Sequence, residues 1–155
     1  GLADEGAQER SDARHVLHRT AVILEHAQQM ARQDTKLYED VISQNQPGLG
    51  RAFTHQMLAR ELFQNGHYQE ATFHSLHARV IALRLMEQIQ DQADLDDNGD
   101  DSFADEDLAI EGSNLDELET GYWDRCPAES QMTFGMNEWN VSDDDALSVR
   151  IELNF

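Results

Sequence analysis

The chain predicts a mainly α fold: a three-helix body containing a helical hairpin, followed by an acidic C-terminal region with a candidate terminal β-strand. Three observations carry that expectation. Apolar residues recur at steps of three, four and seven through most of residues 11–90, the period of one helical face. Clusters of Gly, Pro and Asn separate the stretches that keep this period. At Gln90-Asp91 the charge balance then changes. Residues 1–90 hold 11 acidic and 9 basic side chains, whereas residues 91–155 hold 20 acidic side chains and only Arg125 and Arg150 as basic ones. The expected organisation is therefore a helical body (1–90), an acidic linker or calcium-type loop (91–107) and an acidic C-terminal segment (108–155).

The first helix is expected from Ser11 to about Gln44, a stretch with neither Gly nor Pro. Ala13, Leu17, Thr20, Leu24, Ala27, Ala31, Tyr38 and Ile42 line one face. Ser11-Asp12 offers N-cap chemistry, and Asn45-Gln46-Pro47-Gly48-Leu49-Gly50 ends the run because proline and glycine do not continue a helix. A second helix is expected over 51–64, carrying Phe53, Met57, Leu58, Leu62 and Phe63, with Asn65-Gly66 as the break. The third is expected from Tyr68 to about Gln90. It is apolar on two sides: Ala71, Ala78, Ala82, Leu85 and Ile89 form one stripe, and Phe73, Leu76, Val80 and Leu83 form another roughly opposite. The second stripe requires cover from the C-terminal segment or from another copy, and the reading favours a homodimer.

The C-terminal segment has weaker signals. Ser113-Asn114 is placed to cap a short helix carrying Leu115 and Leu118. Leu147, Val149, Ile151, Leu153 and Phe155 alternate with polar residues, the period of a half-buried strand. A lone strand is unstable, so its partner would be the Met132–Phe134 region, a second copy or another protein.

Composition limits the partners. A net charge of −20 repels nucleic acid and anionic lipid, leaving basic protein surfaces and divalent cations as the compatible classes. No apolar run approaches the roughly 18–20 residues that span a bilayer. The compartment is not readable: the first residue is Gly rather than Met, so either processing or removal of a tag is expected at the start, and a secretion signal cut away there would go unseen. Cys126 is the single cysteine, forms no internal disulfide and has no zinc-ligand spacing around it.

Residues 52–83 resemble a single tetratricopeptide repeat. Leu58-Ala59 and Leu62 stand at that family's first-helix packing positions, and Gly66, Tyr68, Ala71 and Ala78 follow at its spacing. His55 and Ser75 stand where the family has large aromatics, and Leu83 where it has a terminal proline. The resemblance covers 32 of 155 residues and implies a protein-binding helical hairpin. The run Asp94-Leu95-Asp96-Asp97-Asn98-Gly99-Asp100-Asp101-Ser102-Phe103-Ala104-Asp105 resembles an EF-hand or dockerin loop. That resemblance implies Ca²⁺ held by Asp94, Asp96, Asn98, the Asp100 carbonyl, Ser102 and Asp105. Asp101 departs from the usual aliphatic residue, and Asp105 from the usual Glu.

Two histidine pairs share helical faces, His15 with His18 and His74 with His77, a spacing that also serves transition-metal ligands. No nucleophile motif, phosphate loop or His-Glu-x-x-His arrangement is present. The sequence thus reads as a non-catalytic protein-binding or scaffold module, with the hairpin as its surface and the acidic region recruiting a basic partner. The alternatives are a calcium-responsive protein acting through 94–105 and a structural subunit assembling through its C-terminal strand.

Overall fold

The computed structural model describes residues 2–42, 48–97 and 141–151, with side chains described within 6–42, 48–93 and 141–151. The described residues are mainly helical, as expected. Helix α1 runs Leu2–Gln33, α2 Thr35–Ile42, α3 Leu49–Gln64, α4 Tyr68–Asp97, and a single turn, α5, Asp143–Ala146.

Three boundaries differ from expectation. The first helix starts nine residues before Ser11, over a stretch without proline that holds two Ala and three acidic residues, a composition that suits a helix N-terminus. Ser11 and Asp12 are thus interior positions, and Asp12 accepts a hydrogen bond from Gln8 Nε2 one turn earlier at 2.8 Å. The long first helix also breaks at Asp34, whose carboxylate accepts from the Leu37 amide at 3.0 Å while its carbonyl accepts from Tyr38 N. That is N-cap chemistry, and it starts α2 as a separate helix at Thr35. Finally, α4 continues seven residues past Gln90 to Asp97.

The α3–α4 turn is as the sequence predicts. Gly66 adopts φ +85°, and the amides of Gly66 and His67 reach back to the carbonyls of Phe63 and Leu62. This is the double closure of a helix end that favours glycine. Helices α1, α3 and α4 each pack on the other two; α2 packs on α1 and α4, and α5 on α3. Helix α3 lies innermost, with no exposed residue from Leu49 to Phe63.

The apolar interior is divided. One cluster joins Ala13, Leu17, Ala59, Phe63 and Ala71. A larger one runs from Ile23 to Val41, through Leu49–Phe53 and Ala78–Ile89, and includes Ala146. Along each long helix a polar position separates the two: Thr20 on α1, Gln56 on α3 and Ser75 on α4, all buried.

The second apolar stripe of α4 finds part of its cover within the chain. Val80 is buried, and Leu83 packs on the larger cluster, as do Val141, Leu147, Val149 and Ile151. Phe73 and Leu76 stay half-buried. Leu147 and Ser148 form a turn, and residues 149–151 belong to no helix or strand. Residues 152–155, the rest of the expected strand, lie outside the described residues, as do the Ser113-Asn114 cap, the Met132–Phe134 region and Cys126.

Candidate functional site

Two features of the interior are more than apolar packing: a polar seam through the bundle and a docking notch at its end. The seam exists because each helix places one or two hydrogen-bonding residues where an apolar one would otherwise face the core. Gln56 Nε2 donates to the Leu17 carbonyl at 2.9 Å, and Gln56 Oε1 accepts from Ser75 Oγ at 2.9 Å. Thr20 Oγ1 donates to the Ser75 carbonyl at 3.2 Å and accepts from Arg79 Nε at 3.0 Å. Arg79 Nη2 also donates to the Val16 carbonyl at 2.7 Å. One connected network therefore ties α1, α3 and α4 in a single register. Half-satisfied it would be costly, because each unpaired buried polar group costs about 1–3 kcal/mol.

Arg79 is 2% exposed and pairs with neutral oxygens, with no carboxylate among its partners in the described residues. Burial, reinforced by the nearby Arg19 charge, lowers its pKa to about 10, which still leaves it charged at neutral pH.

Beside the seam, three histidines meet between α3 and α4. The Nδ1 atoms of His55 and His74 are 3.0 Å apart, and the His55 and His77 rings lie 4.2 Å apart between centroids. Burial first, then His77, His74 and Arg51, pushes the His55 pKa down to about 2, so its ring is neutral at pH 7. The spacing of His74 and His77 was legible in the sequence; their meeting with His55 was not. The available signal was His55 itself, a histidine at a packing position. His15 and His18 are exposed on α1 and do not join the cluster. Among the described residues, no group of three or more His, Cys, Asp or Glu side chains is arranged to hold a metal ion.

The notch is built from the ends of several elements. Gly48 and Gly50 flank Leu49 at the start of α3, where Gly48 supplies no side-chain cap. Asp143 supplies it instead, from far along the chain: Gly50 N donates to Asp143 Oδ1 at 3.0 Å. A Cβ on Gly48 would overlap the Asp143 carboxylate, and one on Gly50 would overlap the Val141 carbonyl and the backbone that follows. Gly50 therefore needs glycine for closeness of approach to backbone, whereas at Gly48 the Asp143 side chain would have to shift. Tyr38, fully buried, accepts from Leu49 N at 3.1 Å and donates to the Asp143 carbonyl at 3.4 Å. Burial above all, with the charges of Asp143 and Asp144 adding to it, pushes its pKa up to about 12. Thr54 Oγ1, which donates to the Gly50 carbonyl, accepts from Val141 N at 3.2 Å.

From α1, Gln28 Nε2 donates to the carbonyls of Ala146 and Val149, both at 2.7 Å, and Arg32 Nε donates to that of Leu147. Ser142 caps α5 by accepting from Asp145 N at 3.0 Å. The segment 141–151 is thus hydrogen-bonded mainly through its backbone, with Ala146 wholly buried and Val141, Leu147, Val149 and Ile151 packed on the same cluster. The features that could have pointed to it are Ser142 ahead of three Asp residues and the closely spaced Gly48 and Gly50.

Of the residues expected to bind calcium, Asp94 and Asp96 lie in the last turns of α4, on helical backbone, while Asn98, Asp100, Ser102 and Asp105 lie outside the described residues. No helix among the described residues is long and apolar enough to cross a membrane. Comparison with protein-family models, curated proteins and solved structures finds no match to this chain.

Proposed function

We propose that this protein is a non-catalytic binding scaffold whose helical body presents an acidic segment to a basic protein surface. The observation that carries this reading is the docking of 141–151. Helix α4 ends at Asp97, and Val141 is again fixed on the body. Residues 98–140 therefore connect two anchored points, and they contain twelve acidic side chains against Arg125 alone. Charge of one sign held on a folded platform favours encounter with the opposite sign. Since α3 is enclosed, the hairpin's contribution to a binding surface is the outer side of α4, where Gln69, Glu70, Arg84, Glu87 and Asp91 are exposed beside half-buried Phe73 and Leu76.

The test is calorimetric binding of a Lys-rich peptide to the full chain at low and at physiological salt. Binding that weakens steeply with salt and falls when Asp100, Asp101, Asp105 and Asp107 are changed to Asn supports the reading. Binding indifferent to both would refute it. Calcium binding by residues 94–105 is the second reading, favoured by the way α4, anchored through buried Ile89, runs directly into that stretch. Saturable Ca²⁺ heat that disappears in Asp94→Ala/Asp96→Ala would select it over the first.

A further inference from the structure

We propose that the notch at the start of α3 is a peptide-recognition site, and that the occupant it takes from outside is the 141–151 segment of a second copy of this chain. Three observations point there. The hydrogen bonds that fix the segment run mostly to its backbone, from Gln28, Arg32, Thr54 and Tyr38, while Val141, Ala146, Leu147, Val149 and Ile151 pack on the larger apolar cluster. Such contacts do not depend on which chain supplies the segment. Specificity comes from Asp143 at the α3 amide and from the wholly buried Ala146, with the apolar side chains around it. The third observation is the connector. Residues 98–140 are 43 residues with both ends on the body, a length that reaches up to about 140 Å when extended, so it does not oblige the segment to bind in cis.

In an isolated chain the segment's own notch wins, because tethering keeps its local concentration high. Exchange with a second copy becomes visible when cis docking is blocked. This differs from adding a strand to a neighbour's sheet: what is recognised is a capped turn with an acidic residue beside a helix N-terminus. It also stands apart from the reading given for 98–140, since it needs no basic partner.

Complementation in full-length protein tests it. Gly50→Ala blocks the notch but leaves the segment intact, and the change itself suits a helix. Ala146→Arg spoils the segment but leaves the notch intact. Each variant is expected to keep its helix content by circular dichroism and to sediment alone as a species that does not pair through this site. Mixed in equal amounts, they should form a 1:1 complex by native mass spectrometry, the Gly50→Ala segment entering the Ala146→Arg notch. A labelled peptide of residues 141–151 should likewise bind the Ala146→Arg chain and lose at least tenfold in affinity for a chain carrying both changes. Variants that stay folded and do not associate would overturn the proposal. So would a scrambled peptide that binds equally well, or loss of helix content in both variants, which would make the segment an inseparable part of the core.

Discussion

The Nδ1 atoms of His55 and His74 lie 3.0 Å apart between α3 and α4, so one ring must donate and the other accept. With His55 neutral, that pairing is satisfied; a proton on His55 would add charge beside His77, His74 and Arg51 in a buried site. The folded chain binds this proton only near pH 2, whereas an unfolded chain binds it near 6.5. Stability is therefore full above pH 6.5 and is lost as pH falls from about 6.5 toward 2. Denaturant titrations should show about 2 kcal/mol lost on this account between pH 7 and pH 5. His55→Phe should reduce that loss; an unchanged pH dependence would contradict the assignment.

The seam makes a second prediction. Gln56→Ala removes the partner of both Ser75 Oγ and the Leu17 carbonyl, so it should cost about 1–3 kcal/mol. Ser75→Ala in the same background should add less than it costs alone, because its partner is already gone. Strict additivity in urea unfolding would show that the two do not form one network.

Tyr38→Phe keeps the ring and deletes the hydroxyl that serves Leu49 N and the Asp143 carbonyl. A loss of about 1–2 kcal/mol is expected, most of it from the buried amide left without a partner. Amide exchange should accelerate at Ala146, Leu147 and Ser148, whose protection depends on the docked turn, before it does so in α1. Equal acceleration throughout would mean that the turn does not open separately.

Gly66 closes α3 at φ +85° with open space around the position of a Cβ. Gly66→Ala should therefore destabilise through backbone strain alone, by about 1 kcal/mol. Gly66→Asn should cost less, since Asn tolerates this conformation better than Ala. Thermal unfolding of the pair would show a reversed order if the strain argument is wrong.

What the sequence by itself determined was the local order of the body. The three-and-four spacing of Leu17, Thr20 and Leu24, or the seven-residue spacing of Ala71, Ala78 and Leu85, states which side of a helix is buried, and Asn65-Gly66 states where α3 ends. Those features depend on neighbours within a few residues, which is why spacing shows them. Asp34 shows the limit even of local reading: its side chain competes for the backbone and splits one expected helix into two, inside a stretch whose apolar period continues unbroken. The acidic excess after Gln90 was equally plain, but not that its far end returns to the body. Only the tertiary structure decided that Asp143 caps α3, that Ala146 fills the larger core and that His55 meets His74 and His77. These relationships join residues 19 to 118 positions apart, and the residue types involved are equally at home on a solvated surface. Burial and a hydrogen-bond partner give them their meaning, and both come from the packing of the helices rather than from sequence spacing.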